Sequence, residues 1–375
     1  YDDGAAADEQ HRPDACVLGH FFFTRHRAPG AQFGGDGTSG EQKYAEDGLG
    51  ALFIPCRFSR IIHKICGMEF LETGRERAER KWVEVEGWRI EYACGGEGRN
   101  ENGEGGDGKG EGRRALVCFH GFARPLEDML PWGEVWGEER KVISIHLPEH
   151  GGSRDVGPGA QGREWGGERA IAPELWAIIA RQIADAEGAA AGPMDLLGYS
   201  IGGRVALAAL VAAPEAWGRV VLLAPDGLRK SPFYTVTVHT QVGRWAWRAI
   251  DRRAERMLRT LDRWHRWGLL TKHLHGFAHF HLASPEMRRM VWKGWRVHRN
   301  CWPSLGAVAR VMRAHPAPVD LCFGQHDRVI PPGNGRRLAQ RLKGVGHVHF
   351  HRVPAGHNLQ RPDVMKAVVE RIFQQ

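Results

Sequence analysis

The sequence predicts an α/β protein built on a parallel sheet covered on both faces, and three observations carry that prediction. Short apolar runs alternate with helical stretches along the second half of the chain. One of those runs drives through a glycine-flanked serine straight into a helix. The alternation is interrupted once, by roughly 90 residues without strand character, which is too long for a connection and reads as a helical insert. Apolar strands buried on both faces are what a parallel sheet demands.

Taken in order, residues 82–86 and 88–92 alternate apolar and polar around Gly87, as two hairpin strands should. Strand candidates follow at 115–119, 142–145, 194–197, 220–223, 319–323 and 348–353, with helices at about 172–187, 201–213, 334–343 and 360–373. Residues 95–113 are almost wholly Gly, Glu, Asp, Asn, Lys and Arg, which cannot bury enough surface to order themselves, so a solvated loop is expected inside the domain. The expected organisation is a core of 80–225 and 315–375 with a helical cap at 226–314. Residues 1–79 read as a disordered or non-native N-terminal extension. The alternative there is a targeting or membrane-surface arm, because Arg57, Arg60 and Lys64 interleave with Ile61, Ile62 and Ile65.

Composition sets the outer limits. The chain has 375 residues and 42% hydrophobic content, enough to fill a core. No apolar run approaches the roughly 18 residues that span a bilayer. Seven cysteines form no C-x-x-C pair, and Cys118 and Cys322 fall in candidate buried strands, so a reducing, cytoplasmic setting is expected.

The chemistry gathers at strand ends. In Gly198-Tyr199-Ser200-Ile201-Gly202 the serine sits at the tip of a strand-to-helix turn. Side chains at Gly198 or Gly202 would crowd so tight a turn. A serine hydroxyl is a weak nucleophile until a base takes its proton and N–H groups receive the oxyanion. His120-Gly121-Phe122 stands at the carboxyl end of the 115–119 strand, where ligands collect in open α/β sheets. The Phe122 N–H is one candidate oxyanion donor and the Ile201 N–H, at a helix N-terminus, is the other. The ring of His120 is expected to brace the turn. Asp327 follows the 319–323 strand and His357 follows the last one, in the chain order Ser, Asp, His. Asp327 is suited to fix the His357 tautomer. Asp226, after the 220–223 strand, is an alternative acid, or else a cap on the first turn of the insert.

Five motifs in this order, HGF at 120–122, LPEHGGS at 147–153, GYSIGG at 198–203, GQHDRVIP at 324–331 and AGH at 355–357, resemble the α/β-hydrolase superfamily over about residues 80–375. The resemblance implies a mostly parallel eight-stranded sheet with helices on both faces, an α-helical lid inserted after the sixth strand, and a Ser-His-Asp triad. It departs at His146, where the family usually has an acid, and at Glu149, where Gly is usual, which puts the shape of that loop in question. Serine at the elbow argues against the dehalogenase and epoxide-hydrolase members, which use Asp there. The expected activity is hydrolysis of a carboxylic ester, thioester or related acyl bond, without metal or organic cofactor. A C–C bond hydrolase or acyltransferase of the same fold is the alternative, and a non-catalytic protein that binds an acidic partner through its lid is the contrasting class.

The insert is strongly basic, with eighteen Lys and Arg against four Asp and Glu over 229–314, and it holds seven of the fourteen tryptophans. Ile250, Ala254, Met257, Leu261 and Trp264 recur at helical spacing while Arg248, Arg252, Arg256, Arg259 and Arg263 line another face, so one amphipathic helix is expected. That basic face reads as a solvated surface, as a field attracting an anionic acyl substrate, or as a contact for an anionic membrane surface or nucleic acid. On balance no nucleic-acid partner is expected, and oligomeric state is left open. The cluster His273, His275, His279 and His281 is expected not to hold metal, because no Cys or carboxylate lies among them and the spacing suits one face poorly.

Overall fold

The computed structural model describes residues 78–95, 113–136, 140–160 and 168–373. The N-terminal extension to residue 77 and all but the ends of the Gly/Glu loop lie outside these. The strands are β1 (Lys81–Val85), β2 (Trp88–Gly95), β3 (Arg114–Phe119), β4 (Arg140–Ile145), β5 (Arg154–Asp155), β6 (Met194–Tyr199), β7 (Trp217–Leu223), β8 (Val319–Gly324) and β9 (Val348–Val353). They form one sheet in the order β1-β2-β4-β3-β6-β7-β8-β9, with the two-residue β5 added against β2. The pairs β1/β2 and β2/β4 are antiparallel; from β4 to β9 every pairing is parallel. The main path therefore has eight strands, and β5 is a short addition that a two-residue pairing leaves invisible to periodicity.

Parallel strands need crossovers, and the helices supply them. Those of the core are α1 (Trp132–Trp136), α2 (Leu175–Ala186) and α3 (Ile201–Ala212). Between β7 and β8 run α4 (Pro232–His239), α5 (Gln241–Arg252), α6 (Ala254–Arg266), α7 (Lys272–Leu282), α8 (Pro285–Val297) and α9 (Leu305–Ala314). The chain closes with α10 (Arg336–Arg341) and α11 (Pro362–Phe373). On one side of the sheet α3 packs against α2 and α9; α1 and α11 pack together over β4 and β9. The central strands β6 and β8 are buried at every position, which is why they read as apolar rather than alternating; the one charge in each, Asp195 and Asp320, is buried and paired with Arg140 and Arg219.

The single amphipathic helix expected across 248–264 is two helices. Arg253 leaves helical geometry at φ −117°, ψ 15°, ending α5 and starting α6. The two faces survive the break: Ala254 and Leu261 are buried while Arg248, Arg252, Arg256, Arg259 and Arg263 are all exposed. Not every tryptophan turns inward, since Trp245 and Trp267 stand open to solvent. Trp247 and Trp292 stack at 5.7 Å and, with Val291, form a small core that also takes in Phe122 and Trp295. Arg204 of α3, buried with 1% exposure, lies under the rings of Tyr234 and Trp302 at 5.0 and 4.8 Å. Those contacts tie the insert to the sheet's own helix.

Several histidines are packed in as neutral rings. Burial pushes His150 down to about 4 and His298 to about 3 from 6.5, and His120 well below 6.5. A depressed histidine is a stabilising neutral group that the unfolded chain would protonate first, so its contribution is complete above 6.5 and is lost as pH falls through the folded value. The melting temperature is expected to drop as pH is lowered from 6.5 towards 4. His298→Phe, which keeps the ring stack on Trp176 (6.3 Å, 6° between planes), should flatten that slope. A melting temperature that stays level over this range contradicts the assignment.

Candidate active site

Ser200 sits between β6 and α3 with φ 54° and ψ −116°, a left-handed conformation that a residue with a Cβ adopts only under strain. The strain is held in place by the backbone around it. Ser200 N–H donates to the Leu223 carbonyl at 2.9 Å, and the Ser200 carbonyl accepts from Asp226 N–H at 2.9 Å and Arg204 N–H at 3.2 Å. Glycines allow the close approach this requires. A Cβ on Gly198 would lie 2.7 Å from the Gly202 carbonyl oxygen, and one on Gly202 would lie 2.2 Å from the Phe119 carbonyl oxygen.

His357, in the loop after β9, places Nε2 3.2 Å from Ser200 Oγ and Nδ1 2.8 Å from Asp327 Oδ2. Asp327 is buried in the loop after β8, and its other oxygen accepts the N–H groups of Val329 and Ile330, each at 2.8 Å. Both lone-pair sets of that carboxylate are thus engaged, and the side most useful for orienting an imidazole faces His357. The two loops brace each other: His326 N–H donates to the Ala355 carbonyl at 2.9 Å, and a Cβ on Gly324 would lie 2.2 Å from the Gly356 carbonyl oxygen. Tyr199 adds a support that sequence reading counted only as part of the turn. Its hydroxyl donates to the His357 carbonyl at 3.0 Å across 158 residues of chain.

Asp226 lies elsewhere. Its carboxylate is 3.5 Å from the Arg204 guanidinium and accepts from Gly227 N–H at 2.7 Å. Nor does it cap the insert's first helix, because α4 is capped by Ser231, whose hydroxyl accepts from Tyr234 N–H at 3.3 Å.

His120 is fully buried, and its ring links the two loops behind the serine. Nε2 accepts from Leu147 N–H at 3.1 Å, which leaves the proton on Nδ1 to donate to the Gly121 carbonyl at 2.7 Å. Gly121 is pressed against Tyr199, with space of only 2.7 Å between a built Cβ and the ring. Phe122 follows, its ring stacked on His281 of α7 at 5.7 Å and edge-on to His150 at 5.5 Å. Ile201 opens α3, and a first-turn N–H has no carbonyl partner within its own helix.

The two departures in the 146–151 loop have physical explanations. Glu149 adopts φ 69°, the conformation that favours glycine, so its side chain is accommodated at a cost, and its carboxylate meets Lys293 of α8 at 3.5 Å. His146 takes its acid from another strand. Its Nδ1 lies 2.5 Å from Glu91 Oε2 while Nε2 accepts from Leu126 N–H at 3.1 Å. Burial works against the Glu91 charge, but the His146 imidazole and the Gly152 N–H hold its carboxyl down to about 2. Sequence reading missed Glu91 because nothing in a strand of mixed residues marks a partner 55 positions away.

The histidine cluster of α7 also differs from expectation. His275 and His279 are one turn apart on one face, and Asp262 of α6 reaches both, with Oδ1 2.7 Å from each Nε2. The missing carboxylate comes from the neighbouring helix. His281 faces the other way, with its ring 4.1 Å from Phe277 and on towards Phe122.

No helix among the described residues is long and apolar enough to cross a membrane. No family model matches the chain, and no curated protein matches it in sequence. Solved structures do match in shape. A thermophilic esterase from Thermogutta terrifontis, with malate bound, aligns at a TM-score of 0.50 and 18% identity over 79% of this chain and 99% of that one. A probable hydrolytic enzyme from Pseudomonas aeruginosa PAO1 aligns at 0.50 and 14% identity over 80% and 95%. With the parallel sheet, the crossover helices and the strained serine turn at its carboxyl edge, these likenesses establish that the chain has the α/β-hydrolase fold.

Proposed function

We propose that the protein is a serine hydrolase that cleaves a carboxylic ester, thioester or related acyl bond through an acyl-enzyme. The observation that carries this reading is the relay in which His357 lies 3.2 Å from Ser200 Oγ and 2.8 Å from Asp327. Asp327 accepts a hydrogen bond from Nδ1–H and so keeps the proton on Nδ1, which leaves Nε2 with a lone pair aimed at the serine hydroxyl. Ser200 attacks the acyl carbonyl as His357 removes its proton. The N–H groups of Phe122 and Ile201 receive the oxyanion, aided by the positive end of α3. His357 then protonates the leaving group and afterwards activates the water that releases the acyl group. None of these steps calls for a metal or organic cofactor.

The insert 226–314 is the lid of this reading. Its Trp247, Val291 and Trp292 core packs with Phe122, so the insert lies directly against the residue that supplies one oxyanion donor. The exposed arginines of α5 and α6 set up a positive field that attracts substrates carrying an acidic group. The free cysteines Cys94, Cys118, Cys301 and Cys322 fit a reducing, cytoplasmic setting.

Aryl esters graded by acyl length and charge test the reading. The wild-type chain is expected to turn over at least one of them, with Ser200→Ala lowering kcat by about 10⁴-fold or more. Equal rates for the two proteins would sink the proposal.

A further inference from the structure

The hairpin of α6 and α7 gathers three metal-ligating side chains that the hydrolytic reading leaves unused. Asp262 Oδ1 lies 2.7 Å from His275 Nε2 and 2.7 Å from His279 Nε2. The ligating atoms of all three fall within 4.8 Å of one another. His275 and His279 are four residues apart on α7, which puts both rings on one face, with centroids 4.4 Å apart. Two imidazoles aimed through the same ring nitrogen at one carboxylate oxygen form half of a coordination shell whose centre is occupied by protons. A divalent cation replaces those protons with donor bonds.

The surroundings add two more features. His265, three residues after Asp262 on α6, stacks flat on His275 at 4.4 Å and 17°, and its Nδ1 donates to the Leu270 carbonyl at 2.8 Å. That stacked ring packs against one face of His275 and limits its rotation. The three side chains keep 23%, 30% and 41% of their surface open, so an ion has an entry path and water can complete the shell.

Charge decides which cation. Arg256, Arg259, Arg263 and Arg266 share α6 with Asp262, so a hard ion held by charge alone is repelled. Imidazole donors select borderline-soft first-row ions over calcium or magnesium, which take oxygen ligands.

We propose that Asp262, His275 and His279 bind a divalent transition-metal ion of the zinc class, with solvent completing the shell, and that the ion fastens α7 to α6. The proposal is independent of the hydrolytic reading, and its test reads binding and stability rather than activity.

The experiment uses the untagged full chain, freed of metal by a chelator and titrated with Zn²⁺ by calorimetry, with melting temperature followed in parallel. One equivalent is expected to bind and to raise the melting temperature, whereas Mg²⁺ and Ca²⁺ leave it unchanged. Co²⁺ at the same site should show the visible bands of a low-coordinate ion. The chain holds 20 histidines, so the variants decide. His279→Gln retains a side chain able to hydrogen-bond Asp262 yet withdraws an imidazole, and His275→Ala/His279→Ala removes both. Each is expected to weaken the equivalent by at least about tenfold and to lose its thermal shift. Saturable Zn²⁺ binding and an undiminished thermal shift in the double variant would overturn the proposal, as would the absence of saturable binding to the wild-type chain.

Discussion

Asp327→Asn is expected to lower kcat by about 10⁴-fold, the scale on which a wrong imidazole tautomer acts, while Asp226→Asn changes it by less than about threefold, within the scatter of substitutions outside a catalytic unit. The geometry sets the direction. Asp327 Oδ1 accepts from Val329 and Ile330 N–H groups, so an asparagine keeps its carbonyl there and turns its amide towards His357. Nδ1 must then accept, the ring proton moves to Nε2, and the lone pair that Ser200 needs is gone. Asp226 instead faces the buried Arg204 at 3.5 Å. Removing its charge should cost stability, because it leaves a guanidinium of 1% exposure with less compensation. Activity kept in Asp327→Asn and lost in Asp226→Asn would reverse the assignment.

Gly202→Val is expected to cost about 4 kcal/mol or more of folding stability, the range in which core overpacking becomes diagnostic. A Cβ there would stand 2.2 Å from the Phe119 carbonyl oxygen and 2.6 Å from that of His120. Both are backbone atoms at the end of β3, so neither can swing aside. A glycine with open space makes the control: Gly346 has nothing within 4 Å of a built Cβ, and Gly346→Ala should shift the denaturation midpoint little. Equal midpoints for the two variants would show that the elbow is less tight than described.

The fold was legible because its signals are local. Each central strand is an apolar run with a glycine or polar stop, and β6 to α3 announces itself through the spacing of Gly198, Ser200 and Gly202. His357 and Asp327 could be named for the same reason, since each follows directly on a strand. What escaped depends on partners distant in sequence. Glu91 compensates for His146 from the neighbouring strand β2, Asp262 completes the α7 histidine pair from α6, and Tyr199 reaches the backbone of His357. The break at Arg253 escaped for another reason. Its flanking residues keep the 3.6-residue rhythm through the break, so periodicity alone joins two helices into one. At Glu149 the backbone takes φ 69°, in the region that favours glycine.

Ser200 as a nucleophile is the centre of this account, and covalent labelling tests it most directly. The folded protein is treated with a fluorophosphonate, which reacts with an activated serine, and the modified peptide is located by mass spectrometry. A single adduct on the peptide carrying Ser200, absent in Ser200→Ala and strongly slowed in His357→Ala, is the predicted result. Folded wild-type protein that takes up no label, or that takes it up equally well without Ser200, would contradict the account.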